Sequence, residues 1–120
     1  MRGKGVVPVL AIGDVLLVSV QGELTDAVAI ALQEDLAERV AGARVRGVVI
    51  DVSSVDVVDS FLARILHEIA ATTALMSAGT VVAGIQPAVA VTLVEMGLTL
   101  PGLSTALDVR AALARLGAGP

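Results

Sequence analysis

The chain of 120 residues is long enough for one domain, and 56% of its residues are hydrophobic, nearly all aliphatic because Phe61 is the single aromatic residue. It contains no cysteine and one histidine, which excludes a disulfide framework and any metal site built on thiolates or on two histidines. A net charge of −4 and the absence of Tyr and Trp argue against nucleic acid as a partner.

No segment of the sequence is expected to enter a membrane. The apolar run 6–12 is interrupted by Pro8 and closed by a Gly-Asp pair, so it is too short for a signal peptide. Residues 69–94 contain no charged side chain and are long enough to span a bilayer. Their glycines and Pro87 nevertheless divide them into a helix end, a turn, a short strand and a helix start. We therefore expect buried interior of a soluble, cytoplasmic protein.

The first part of the chain predicts a hairpin followed by a helix. Two β-rich runs, 6–12 and 15–21, are separated by Gly13-Asp14, a pair typical of a tight hairpin turn. After a further turn, Thr25 or Asp26 is expected to cap a helix. The apolar residues of this helix repeat every four positions, as in an amphipathic helix, at Val28, Leu32, Leu36 and Val40.

Strands and helices alternate in the rest of the chain. Residues 47–52 form a continuous apolar run, which is typical of a parallel strand covered on both faces. The sequence then predicts a loop at 53–59, a helix at 60–77, a strand at 79–84, a helix from Gln86-Pro87 to just before Gly97, a strand at 103–106 and a helix capped by Asp108.

This alternation predicts an α/β fold with a mixed, mostly parallel β-sheet, an N-terminal hairpin and about four α-helices. We expect a single domain over residues 6–117, with flexible ends at 1–5 and 118–120.

Residues 56–62, Asp-Val-Val-Asp-Ser-Phe-Leu, form the strongest functional signal because they close a loop after a strand and open a helix. At 100° per residue, Ser60, Arg64 and His67 share the face opposite the apolar stripe, and Phe61 lies on its flank. Ser60 is either an N-cap or a phosphate acceptor. A phosphate would be favoured at a helix N-terminus and would add about −1.5 to −2 charges beside Asp59.

Catalytic interpretations of this segment are disfavoured. His67 lies two helical turns from Ser60, roughly 10 Å along the axis, which is beyond the reach of a catalytic base. A phosphoryl-aspartate pocket built on Asp51, Asp56 and Asp59 would need a lysine late in the chain, and the single lysine is Lys4. No glycine-rich phosphate-binding motif is present, so no cofactor is expected.

The third predicted helix is apolar nearly all round. With Val89, Leu93 and Met96 toward the core, its other apolar residues point elsewhere. Such a helix is either buried on two sides or part of an interface. Burial on two sides is hard to arrange in a small domain, so we favour an assembly interface over additional core burial. Its residues would be Ala88, Val91, Val94 and Glu95.

The strand, the acidic loop, Asp59-Ser60 and the following helix resemble the phosphorylation motif of the STAS family, the anti-sigma-factor antagonists and their relatives. Within that family, Asp59-Ser60-Phe61 and the run GIQPAVAVTL at 84–93 are similar to the RsbS type, the STAS-only scaffold subunits of stressosomes. The resemblance extends over residues 8–116.

This resemblance implies a non-enzymatic, cytoplasmic scaffold of bacterial stress signalling, acting as a homo- or hetero-oligomer. Unphosphorylated, it would assemble with sensor-bearing STAS paralogues and sequester a serine kinase of the switch type. Phosphorylation of the serine matching Ser60 would release the kinase, and a PP2C-type phosphatase would reset the system. Asp59, Phe61, Arg64 and His67 are the expected partner-binding residues.

Two alternatives remain at this point. One is a stand-alone antagonist that binds an anti-sigma kinase directly. A more distant one is a small serine hydrolase that uses Ser60.

Overall fold

The chain folds as the predicted alternation of strands and helices. The computed structural model describes residues 7–21, 24–42, 44–55, 60–95 and 103–117, so the predicted flexible ends at 1–5 and 118–120 lie outside the described residues. The elements are β1 (Val9–Ile12), β2 (Val15–Ser19), α1 (Asp26–Gly42), β3 (Gly47–Asp51), α2 (Ser60–Leu75), β4 (Gly79–Ala83), α3 (Pro87–Glu95), β5 (Leu103–Ala106) and α4 (Val109–Arg115).

The five strands form one sheet in the order β1-β2-β3-β4-β5. Strands β1 and β2 are antiparallel, and Ile12 pairs with Val15, so Gly13-Asp14 is the two-residue turn that the sequence predicts. The other pairs are parallel: Val15 lies opposite Gly47, Gly47 opposite Gly79, and Thr80 opposite Leu103. The predicted mixed, mostly parallel sheet is confirmed.

Helices cover both faces of the sheet. On one face, α1, α2 and α3 pack against a core that includes Val48, Ile50 and Val82. On the other face, α4 packs against Val49 and Val81. Burial of this aliphatic surface is the main stabilising contribution, at about 25 cal/mol per Å². Within the described ranges, no helix is long and apolar enough to cross a membrane.

Hydrogen bonds mark where the helices begin. The N–H of Val28 donates to Thr25 Oγ1 at 3.3 Å, so Thr25 rather than Asp26 caps α1. The N–H of Ala111 donates to Asp108 Oδ1 at 2.8 Å, as expected for the cap of α4. The predicted stripe of α1 is shifted slightly, because Ala29 is buried with Leu32, Leu36 and Val40 while Val28 is half-buried.

Helix α2 ends at Leu75, two residues earlier than predicted. Ser77 adopts a positive φ of 65°, which a right-handed helix cannot accommodate. The buried residues of α2 include Leu62, Ile65, Leu66, Ile69 and Thr73.

Gly84 follows β4 and adopts a φ of +79°, and a Cβ placed there would lie 2.9 Å from the Cβ of Ser53. We expect Gly84→Ala to lower the free energy of unfolding by about 2–4 kcal/mol, from the left-handed backbone and the close contact together. Gly13→Ala is the control, since Gly13 also has a positive φ but no atom within 4 Å of such a Cβ. It should cost only about 1–2 kcal/mol. Urea denaturation measures both, and equal losses would contradict the role of the Ser53 contact.

Candidate functional site

The candidate site lies at the edge of the sheet where the parallel strands β2, β3 and β4 end. Ligands and functional loops of α/β sheets collect at this edge because the connections to the next helices begin there. Residues after β3 lead to Ser60 at the start of α2, and residues after β4 lead to α3. The adjacent strands remain bonded past their ends, since Val52 N–H donates to the Ala83 carbonyl at 3.0 Å.

Side-chain hydrogen bonds anchor the first part of the loop between β3 and α2. The N–H of Ser53 donates to Asp51 Oδ1 at 3.0 Å, and Gln86 Nε2 donates to the Ser53 carbonyl at 2.8 Å. Val55 is buried and its N–H donates to the Val52 carbonyl at 2.9 Å. The described part of this loop is thereby held to the turn before α3. No pattern in the sequence predicts the contact made by Gln86.

Ser60 is exposed and is the first residue of α2. Arg64 and His67 are exposed on the same helix, four and seven residues further on, as the helical period predicts. An N-cap side chain accepts an N–H from two or three residues ahead. Within the described ranges the Ser60 hydroxyl makes no such bond, so capping does not account for this serine. Asp59 lies outside the described residues.

Phe61 lies on the flank of α2 that faces α1. It is half-buried and packs against the core. The guanidinium carbon of Arg64 lies 5.5 Å from the centre of the Phe61 ring, within cation–π distance. Arg64 Nε is also 4.0 Å from Glu68 Oε2, and Gln33 Nε2 of α1 donates to Glu68 Oε1 at 3.2 Å. Arg64 therefore belongs to a network that joins α2 to α1.

The site lacks a catalytic arrangement among the residues that the structure describes. His67 and Ser60 form no hydrogen bond with each other, and nucleophilic catalysis needs a base within about 3 Å of the hydroxyl. Asp51 accepts a hydrogen bond from the backbone N–H of Ser53, and Asp56 and Asp59 lie outside the described residues. No group of three His, Asp or Glu side chains in the described ranges could hold a metal ion.

A second exposed surface lies on α3. Val89 and Leu93 are buried, whereas Val91 is 56% exposed and Val94 is 78% exposed. Ala88 and Glu95 are exposed with them, and Met96 lies outside the described residues. Leu107, after β5, lines one cleft together with Val94. Sequence reasoning missed Leu107 because an isolated leucine between a strand and a helix carries no periodic signal.

Known proteins resemble this chain over most of its length. The STAS domain family model matches residues 7–112. A serine-to-glutamate variant of RsbS from Moorella thermoacetica is 40% identical, with a TM-score of 0.81 over 92% of this chain and 94% of that one. A chain from a structure on the molecular architecture of the stressosome, described as a signal integration and transduction hub, is 41% identical, with a TM-score of 0.80 over 92% and 96% of the two chains.

A curated relative is longer than this chain. The RsbT co-antagonist protein RsbRD of Bacillus subtilis (strain 168) is 27% identical over 111 residues, which cover 92% of this chain and 40% of that protein. The chain thus spans two fifths of the length of this relative.

Proposed function

The chain belongs to the STAS domain family and is a non-enzymatic signalling module, and from this premise we propose that it is a stressosome scaffold subunit. In this proposal the unphosphorylated chain captures a serine kinase of the switch type and releases it when Ser60 is phosphorylated. The observation that carries the proposal is an exposed serine at the first residue of α2, in a chain 40% identical to RsbS.

Several features support Ser60 as the phosphate acceptor. Its side chain is exposed, and a helix N-terminus favours a phosphate through its N–H groups and its dipole. Ser53 is also exposed, but its backbone is bonded to Asp51 and Gln86. A serine-to-glutamate exchange, as made in the Moorella protein, introduces a negative charge as phosphorylation does.

The same relatives support the proposed partners. Similarity to a protein named as a co-antagonist of RsbT supports a protein partner that the chain restrains. We propose that Asp59, Phe61, Arg64 and His67 contact the kinase, and that a PP2C-type phosphatase reverses the modification. We place this activity in the bacterial cytoplasm, together with sensor-bearing STAS paralogues.

Assembly is the second part of the proposal, and its interface is the exposed face of α3, formed by Ala88, Val91, Val94 and Glu95. Exposed aliphatic side chains side by side are unusual on a monomer and mark interaction surfaces. This face favours a scaffold over a stand-alone antagonist, because a one-to-one binder needs no second apolar surface.

The first test is the position of the phosphate. Incubation with the cognate serine kinase and ATP, followed by peptide mass spectrometry, is expected to place one phosphate on Ser60, because its hydroxyl is accessible at a helix start. Phosphate found chiefly on Ser53, Ser54 or another residue would contradict the assignment.

Substitutions of Ser60 test the switch. Ser60→Ala should retain kinase capture and lose release by ATP, with a change in unfolding free energy within about 0.5 kcal/mol because the hydroxyl makes no bond in the described structure. Ser60→Asp should weaken capture only in part, since one carboxylate carries less charge than a phosphate. Surface plasmon resonance measures both. Loss of capture by a folded Ser60→Ala chain would make the hydroxyl itself a binding group and contradict the model.

Substitutions on α3 test assembly. Val91→Glu should change the free energy of unfolding by about 0.5 kcal/mol or less, because the site is exposed, yet block assembly. Val89→Glu, two residues earlier, should destabilise by more than about 4 kcal/mol because it buries an unpaired charge. Leu75→Glu, at an 89% exposed site on α2, controls for the added charge.

Sedimentation velocity and thermal melts are the measurements. A folded Val91→Glu chain that assembles like the parent would show that the exposed face of α3 is not the assembly interface. A parent chain that stays monomeric and binds the kinase one to one would favour the stand-alone antagonist instead.

A further inference from the structure

A groove between α1 and α2 begins one residue from Ser60. It has a volume of ≈ 200 Å³. We call it the α1–α2 groove; it is lined by Asp26, Ala29, Ile30, Phe61, Ile65 and Glu68, with Gln33 and Arg64 beside them. Phe61 follows Ser60 directly in α2, so the groove and the proposed phosphate acceptor share the first turn of the helix.

Ile30 sets this groove apart from the rest of α1. Leu32, Leu36 and Val40 of the helix's apolar stripe are buried and Val28 is half-buried, whereas Ile30 lies outside this stripe and is 56% exposed. It lines the same groove as the half-buried Phe61. An aliphatic and an aromatic side chain, both accessible in a concave site, have the composition of the centre of a protein interface, where water-excluding anchors dominate the affinity.

The charged residues that line the groove are Asp26, Arg64 and Glu68, and Arg64 Nε lies 4.0 Å from Glu68 Oε2. Within the described ranges, Asp26 at the mouth of the groove forms no ion pair. Arg64 is already directed to Phe61 and Glu68 of the chain itself. The complementary occupant is an aliphatic side chain flanked by lysine or arginine.

A second copy of this chain fits the groove poorly. Each copy carries a net charge of −4, so like charges oppose its approach to the unpaired Asp26 of the groove. A kinase that brings its nucleotide to Ser60 must cover the first turn of α2. Stable interfaces cover roughly 800 Å² on each partner, so its footprint extends over the adjoining groove.

We infer that the α1–α2 groove is the docking site of the serine kinase and receives an aliphatic side chain of the kinase flanked by a basic residue. The inference rests on the proposed function and adds a surface of α1 to it. Docking and modification are then separate: Ile30 and Phe61 supply affinity, and Ser60 accepts the phosphate.

The test compares Ile30→Glu with Leu75→Glu, which adds the same charge at an exposed leucine near the far end of α2. Ile30→Glu should weaken capture of the cognate kinase by at least about 10-fold, the loss typical of an interface anchor. The KM for phosphorylation of Ser60 should rise by a similar factor with kcat nearly unchanged, because only docking is altered. Leu75→Glu should stay within about 2-fold of the parent, because Leu75 lies outside the groove.

A second variant, at Asp26, tests whether the part of the kinase that enters the groove is positively charged. Asp26→Asn should weaken capture about 2–5-fold and reduce its dependence on NaCl concentration, because one charge opposite a basic residue is removed. Tighter capture of the kinase by Asp26→Asn would contradict a basic residue in the kinase segment that occupies the groove.

The remaining outcomes separate this inference from the proposed function. If the parent is captured and phosphorylated and Ile30→Glu behaves identically, the groove is not the docking site of the kinase, while the proposed function stands. If Ile30→Glu changes assembly without kinase and leaves capture intact, the occupant is a second copy and the inference fails. A parent that is neither captured nor phosphorylated overturns the proposed function itself. Circular dichroism of each variant confirms the fold.

Discussion

The burial of β3 on both faces is the constraint from which the arrangement of the site follows. Val48 and Ile50 face three helices and Val49 faces α4, and all three side chains are completely buried. A strand of this kind can carry polar residues only where it ends, and the last residue of β3 is Asp51. Asp51, Ser53 and Gln86 therefore meet at one edge of the sheet, and the chain leaves this edge to begin α2 at Ser60.

Three faces of α2 lie in three different environments. Leu62, Ile65 and Leu66 are committed to the core, while Ser60 and Arg64 face solvent. The flank with Phe61 and Glu68 faces α1. Because α3 contributes its exposed face elsewhere, the proposed kinase surface and the proposed assembly surface use different residues, so a scaffold can hold its kinase without leaving the assembly.

The sequence predicts the elements well, because strand and helix periods report burial directly. Strand β5 has the predicted bounds, and α3 begins at Pro87 as expected. Cross-element polar contacts leave no such pattern: Gln33 bonds Glu68 and Gln86 bonds Ser53 across more than thirty residues. The early end of α2 depends on the left-handed Ser77, a conformation that serine does not signal. The exposure of Ile30 agrees with the period of α1, but the groove that it shares with Phe61 depends on where α2 packs, which the period of α1 alone cannot give.

The parallel register also governs how the chain reaches this structure. Only the β1–β2 pair joins strands that are neighbours across a short turn, whereas Gly47 pairs with Gly79 and Thr80 with Leu103 after an intervening helix. Non-local pairs form slowly, because the closure entropy of the connecting segment opposes them before any contact compensates. During synthesis the apolar β3 and β4 emerge before β5 has been made, so we expect the nascent chain to be vulnerable to aggregation until β5 leaves the ribosome.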